Sequence, residues 1–187
     1  MKNSYSNIFA FNKKILNKTI KNLNNSNVAG LPTETVYGLG GNAYSKTSVQ
    51  KIYKLKERPP SNPLIIHYYN LNDALSDIEI NENFKKLYKL LCPGPITFIL
   101  KKKYNSKVHP LATARLNTVA VRFPKHKIIR DILKEIDFPL AMPSANKSTN
   151  VSPVKAEDVF DEFKKKIQLI IDGGKCKIGI ESTVIDL

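Results

Sequence analysis

Two stretches in the first third of the chain decide how it is interpreted: Leu31-Pro32-Thr33-Glu34-Thr35-Val36-Tyr37-Gly38-Leu39-Gly40 and, one helix length later, Lys56-Glu57-Arg58-Pro59-Pro60-Ser61-Asn62-Pro63-Leu64. The first stretch sets hydroxyl groups beside glycines, which let the backbone approach a ligand closely. The second sets two cations beside a proline pair that must end a helix. Together they predict one pocket for a polar, negatively charged ligand.

Around these motifs, short apolar segments alternate with amphipathic ones. Apolar residues recur at helical spacing from Ile8 to Leu23 and predict an opening helix, and Ser45 is suited to cap a second helix that ends before Pro59. Strands are predicted at 28–31, 64–68, 96–100, 119–123, 139–142, 169–171 and 183–187, and further helices at 72–76, 83–91, 127–136 and 156–165. This alternation predicts a single α/β domain over 1–187, with a mixed sheet because some connections are too short for parallel crossovers.

Composition limits the class of protein. A chain of 187 residues with 42% hydrophobic residues can bury an ordinary core without metals or disulfides. The two cysteines and three histidines match no metal-ligand spacing, so no metal site is predicted. No apolar run is long enough to span a membrane, and the N-terminal segment is polar and interrupted. We expect a reduced, cytoplasmic protein.

The charge is strongly positive. Thirty Lys and Arg residues against sixteen Asp and Glu residues give +14, which favours polyanionic partners such as RNA or nucleotides. Lysine and asparagine are abundant along the whole chain, so the alternative is a compositional bias rather than a binding face.

The motifs each allow two interpretations. A residue before proline is pushed toward an extended conformation, where Lys56 and Arg58 could reach one triphosphate; alternatively, both cations complement a helix dipole. Alternation of Thr33, Thr35 and Tyr37 would point three hydroxyls to one side of an extended segment, or mark an ordinary strand with a turn.

A third motif places Ser144 and Asn146 just after an apolar strand, at the kind of sheet edge where ligands bind. A simple turn explains it almost as well. Ser144 has no evident base partner, so it is not predicted to be a nucleophile. The chain has neither a P-loop nor a G-x-G-x-x-G motif, so an ATP site would be of another design.

In this order, the motifs resemble the YrdC-like threonylcarbamoyl-AMP synthases, and the resemblance runs from about residue 28 to the last residue. The segments that match are 31–40, 56–58, 61–64, His67, 93–97, 118–122, 143–146 and 181–184.

The resemblance implies an open twisted α/β sheet with a basic concave face. It also implies an enzyme that makes threonylcarbamoyl-AMP and pyrophosphate from L-threonine, bicarbonate and ATP, for threonylcarbamoyladenosine modification of tRNA. Mg²⁺ would arrive with ATP. Downstream threonylcarbamoyl-transferase proteins would be partners, and tRNA or double-stranded RNA could bind directly.

By similarity, the catalytic residues are Lys56 and Arg58. ATP would contact Lys56, Arg58, Asn62, Thr118, Ser144 and Asn146, and threonine would contact Thr35, His67, Arg122 and Ser182.

The sequence departs from the family pattern in two places. The loop at 147–151 lacks the usual Ser-Gly pair, and the chain stops at Leu187, where relatives continue, so we expect a shortened member or a fragment. The alternative function is a non-catalytic double-stranded RNA or tRNA-binding module of the same fold. A carbamoyl-transfer domain of hydrogenase-maturation proteins is a further alternative, but their zinc-finger-like and acylphosphatase-like segments are not visible here.

Overall fold

The computed structural model describes residues 5–187 and places nine strands of this part of the chain in one sheet. The strands are β1 (Ile8–Ala10), β2 (Ala29–Leu31), β3 (Gly38–Asn42), β4 (Ile65–His67), β5 (Ile96–Lys101), β6 (Thr118–Arg122), β7 (Leu140–Ala141), β8 (Ile170–Asp172) and β9 (Thr183–Asp186). Their order across the sheet is β1-β8-β2-β3-β7-β4-β6-β5-β9.

The helices are α1 (Lys13–Asn24), α2 (Lys46–Lys56), α3 (Leu71–Ala74), α4 (Glu82–Leu91), α5 (Lys127–Glu135) and α6 (Ala156–Phe163), with short 3₁₀ turns at Pro110–Thr113 and Lys164–Lys166. The Ser45 side chain accepts a hydrogen bond from the N–H of Ser48 and so caps α2, as predicted. No described helix is both long enough and apolar enough to cross a membrane.

The sheet is mixed, as predicted. Parallel pairing joins β1 to β8, β2 to β8, β4 to β6, and β5 to β9. Antiparallel pairing joins β2 to β3, β3 to β7, β4 to β7, and β5 to β6. Strand β7 pairs with β3 on one side and with β4 on the other. It therefore joins the half of the sheet that contains β2 and β8 to the half that contains β4, β5 and β6. Residues from both halves meet beside this junction, which becomes the site described below.

The predicted opening helix is wrong at its start. Ile8 and Phe9 form the edge strand β1, which pairs in parallel with Ile170 and Ile171 of β8, and the helix begins only at Lys13. Asn12 stops any earlier start, because its side chain caps the helix by accepting a hydrogen bond from Ile15 N–H. The apolar spacing was helical by coincidence, and pairing with a strand some 160 residues later decided the outcome.

Candidate active site

Three polar side chains stand in one row across the sheet. His67 of β4 is directly opposite Arg122 of β6, and Arg122 is opposite Thr97 of β5. Paired residues of neighbouring strands point to the same face of a sheet, so these three side chains are neighbours. All three are buried, with Arg122 only 4% exposed. A buried guanidinium beside an imidazole and a hydroxyl therefore forms the floor of a cleft.

Arg122 is held by two neighbours in the Leu31–Gly40 segment. Its Nη2 donates to Glu34 Oε1 at 2.7 Å and to Thr35 Oγ1 at 2.9 Å. The second carboxylate oxygen of Glu34 accepts from the backbone N–H groups of Lys125 and His126, just before α5. Burial alone would raise the pKa of Glu34, but the charge and hydrogen bond of Arg122, with the backbone N–H groups of Glu34 and His126, outweigh it and hold that pKa below its usual range.

The same segment forms a turn, which was one of the two interpretations of the Thr33, Thr35 and Tyr37 alternation. Thr33 Oγ1 accepts from the N–H groups of Thr35 and Val36 and donates to the Val36 carbonyl at 2.6 Å. The Thr33 proton is thereby used, so in the 2.9 Å contact between the two threonine hydroxyls Thr35 must be the donor. Thr35 then donates to Thr33 and accepts from Arg122, and it can only accept from any further partner.

Tyr37 does not join the two threonines, so the structure does not support the interpretation in which all three hydroxyls point to one side. Its hydroxyl donates to the Gly174 carbonyl at 2.8 Å and accepts from the Gly173 N–H at 3.0 Å. These two hydrogen bonds link Tyr37 to the turn that follows β8. The adjacent Gly38 has a packing role, because a Cβ there would lie 2.4 Å from the Met142 side chain.

His67 is neutral in the folded protein. Burial, with the nearby positive charge of Arg122, lowers the pKa of His67 to about 3. Its Nδ1 lies 3.3 Å from the Ile65 carbonyl oxygen, which fits a protonated Nδ1.

Lys56, at the end of α2, is almost fully buried. Its ammonium donates to the carbonyl of Ser144 at 2.6 Å and to that of Asn146, while its own carbonyl accepts from Ser148 N–H. Burial and the nearby Arg58 charge lower the pKa of Lys56 to about 8. Lys56 therefore contacts the loop that contains two other predicted residues, Ser144 and Asn146.

Arg58 turns away from Lys56 toward its own segment. Glu57 ends α2 in the left-handed conformation, with φ of 52°, and Arg58 then folds back to donate to Asn62 Oδ1 at 2.6 Å and to the Pro63 carbonyl at 2.8 Å. The two cations therefore have different protein partners, although they are close enough for one to affect the other's pKa. Arg58 and Asn62 are hydrogen-bonded to each other, so their side chains are close enough to contact the same ligand.

A small cleft lies beside Arg122 and Ser144, the latter in the loop that Lys56 holds. It is lined by residues from four of the predicted positions together with turn and strand neighbours: Thr33, Val36, Gly38, Ile65, His67, Arg122, Met142, Pro143, Ser144, Glu181 and Ser182. Ser182 lies over Thr97, and their hydroxyls are 2.7 Å apart. Thr118 is exposed at the other end of β6, four residues from Arg122, so the two side chains share a face at a separation of about 13 Å.

Two residues of this site were missed from the sequence, although both stand in the quoted motifs. Glu34 holds Arg122, and Thr97 holds Ser182. An acidic residue between two threonines was a signal, because an unpaired carboxylate in an apolar turn needs a partner. Among the described residues, no group of His, Cys, Asp or Glu side chains is arranged to hold a metal ion.

The loop after Asn146 passes through a strained backbone position. Thr149 has φ of 77°, in the left-handed region that suits glycine. Within the described residues, the Asn146 Oδ1 and Ser148 Oγ atoms are buried with no hydrogen-bond partner. The loop thus makes a left-handed turn at a threonine, in the segment that lacks the Ser-Gly pair.

The fold and these residues define an α/β domain with a buried arginine and a buried histidine beside a loop held by a buried lysine. The Sua5/YciO/YrdC family model, described as telomere recombination, matches residues 21–187. The chain therefore belongs to this family.

Individual relatives agree. The threonylcarbamoyl-AMP synthase of Pyrococcus abyssi is 46% identical over 163 residues, which cover 86% of this chain and 47% of the relative. That of Bacillus subtilis is 44% identical over 165 residues, 87% of this chain and 47% of the relative. The crystal structure of P. abyssi Sua5 complexed with L-threonine superposes with a TM-score of 0.91 at 39% identity, over 96% of this chain and 53% of that one. The chain thus spans about half the length of the curated relatives it matches.

Proposed function

We propose that this chain makes L-threonylcarbamoyl-AMP and pyrophosphate from L-threonine, bicarbonate and ATP. The observation that supports this most is the cleft in which Arg122, His67 and Ser182 lie beside Ser144 of the lysine-held loop. In this proposal the amino acid would bind beside Arg122, and the nucleotide would bind beside the loop that Lys56 holds. The relatives named threonylcarbamoyl-AMP synthase, and the relative bound to L-threonine, add to this support.

At the amino-acid end, Arg122 would bind the threonine carboxylate, because a guanidinium is the donor best matched to that group. Thr35 has only acceptor capacity left, so it would accept from the threonine hydroxyl or nitrogen. Neutral His67 offers an acceptor without adding a second positive charge. Ser182, held by Thr97, would close this end.

At the nucleotide end, Lys56, Arg58, Asn62, Thr118, Ser144 and Asn146 would hold ATP. A threonine carbamate must attack the α-phosphorus while pyrophosphate leaves, so the site must align the two and stabilise negative charge. Lys56 uses two of its three N–H donors on the loop, which leaves one for a phosphate oxygen. Arg58 would release or share Asn62 to reach the phosphates, and Mg²⁺ would come with ATP.

A second proposal concerns a basic surface, defined as Lys54, Lys147, Lys164, Lys165 and Lys166. Two adjoining grooves share Lys166 and together are lined by all five lysines. Two of the lysines are paired, Lys147 with Glu57 and Lys164 with Asp161. We propose that this surface contacts RNA phosphates, in line with the tRNA pathway that the reaction would feed through a downstream threonylcarbamoyl-transferase in the cytoplasm.

The decisive test follows pyrophosphate release from ATP, and labelled threonine into threonylcarbamoyl-AMP. Release should require both L-threonine and bicarbonate, because the nucleophile is their carbamate adduct. Equal release with either one omitted would contradict the synthase proposal. RNA binding with no adenylate formed would favour the non-catalytic module.

A further inference from the structure

Glu34 is the centre of a rigid junction beneath the proposed threonine site. Its Oε1 accepts from Arg122 Nη2 at 2.7 Å, and its Oε2 accepts from two backbone N–H groups, of Lys125 at 3.1 Å and His126 at 3.2 Å. Its own carbonyl accepts from Ile178 N–H at 3.0 Å. With both oxygens and its backbone fixed, the carboxylate cannot rotate without breaking a bond to the start of α5.

The donors of Arg122 are unevenly used. Nη2 makes bonds to Glu34 and Thr35, whereas Nε is buried and has no hydrogen-bond partner among the described residues. A buried N–H without an acceptor is unfavourable, so this side of the guanidinium suits an incoming acceptor. The group best matched to it is a carboxylate.

We propose that Glu34 is a positioning residue: by fixing Nη2, it turns the free side of the Arg122 guanidinium toward the carboxylate of the amino-acid substrate. This inference rests on the proposed function. Glu34 also offsets the charge of Arg122, which makes the buried cation beside the neutral His67 less unfavourable when no ligand is bound.

The isosteric change Glu34→Gln separates this role from mere packing. An amide has one acceptor oxygen and one donor NH₂ group. If the oxygen faces Arg122, the NH₂ group faces two backbone N–H donors; if it faces them, the NH₂ group faces the guanidinium. Either way one side of the junction is repelled, and the guanidinium loses its fixed orientation.

Asp158→Asn provides a matched control. Asp158 Oδ2 likewise accepts from two backbone N–H groups, of Val154 at 3.0 Å and Lys155 at 2.9 Å, at the start of α6. No arginine is paired with Asp158 in the described chain. Loss of helix capping alone should therefore appear in both variants, and loss of guanidinium orientation only in Glu34→Gln.

The experiment measures KM for L-threonine, KM for ATP, kcat, and direct L-threonine binding by calorimetry on the full chain. Glu34→Gln should raise both the threonine KM and its dissociation constant about ten- to hundredfold, as expected for a misplaced contact, while the ATP KM changes less than about twofold. In an Arg122→Lys background the same change should have little further effect, because Glu34 acts through Arg122. Asp158→Asn should leave the threonine KM unchanged.

The outcomes are distinct. Unchanged threonine binding in Glu34→Gln, or equal losses for threonine and ATP, overturns the positioning role. Wild-type protein that binds threonine but forms no adenylate contradicts the proposed function and leaves the binding test of Glu34 in force. If Glu34→Gln does not fold, Glu34→Asp keeps the charge on a shorter side chain and should give a smaller, still threonine-specific loss; threonine binding equal to wild type would overturn the inference.

Discussion

Thr149 gives the sharpest prediction about the departure from the family pattern, because it occupies a glycine-type backbone position. Its φ is 77°, the residue is exposed, and its side chain is β-branched. Left-handed backbone costs an L-residue about 1–2 kcal/mol, and branching at Cβ makes this region less favourable still. Glycine removes that cost but loses about 0.5–1 kcal/mol through greater freedom of the unfolded chain. We expect Thr149→Gly to raise the free energy of unfolding by about 0.5–1 kcal/mol.

The assay is thermal and urea unfolding of matched variants. For a chain of this size, such a gain corresponds to a rise in melting temperature of about 1–4 °C. The control is Val151→Gly, in the same loop. Val151 is also β-branched and is 92% exposed, but it is not among the left-handed residues of the described chain. It should lose about 0.5–1 kcal/mol.

A higher free energy of unfolding for Thr149→Gly together with a lower one for Val151→Gly would support the strain at Thr149. Equal destabilisation by both would refute it, because entropy would then be the only effect. Activity should be measured alongside, since Asn146, in the same loop, is proposed to bind ATP.

Three further predictions follow from the site and its charges. Arg58→Ala should lower kcat with little change in melting temperature, whereas Lys56→Ala should lower both, because it also leaves the Ser144 and Asn146 carbonyls without their buried donor; normal turnover in both variants would limit these cations to structural contacts. Burial and the Arg122 charge lower the pKa of His67 to about 3 against about 6.5 when unfolded, so the unfolded state binds the extra proton and stability should fall by roughly 1 kcal/mol per pH unit as the pH drops from about 6.5 to about 3; a His67→Gln variant with the same acid profile as wild type would contradict this. Charge reversal of Lys165 and Lys166 should weaken RNA binding and flatten its dependence on salt, while Lys13→Glu and Lys14→Glu on α1 serve as the control; equal losses in both would mean that the lysines act only as general charge.

Local signals determined much of the fold from the sequence. Ser45 and the Pro59–Pro60 pair predicted the limits of α2, because capping and helix termination depend only on neighbouring residues. The alternation of apolar segments predicted a mixed α/β sheet, because short connections exclude parallel crossovers. The motif order predicted the family, which the family model confirmed.

Tertiary structure decided what depends on distant partners. Ile8 and Phe9 became a strand because β8 offered an edge far along the chain. Lys56 was expected at a phosphate, yet its burial and its bonds to Ser144 and Asn146 follow from how α2 packs on the loop. The sequence showed an acidic residue between two threonines but not its partner, because only the fold brings Arg122 of β6 within 2.7 Å of Glu34. Local chemistry fixes where elements begin and end, but a buried charge acquires its function only from the partner that the fold supplies.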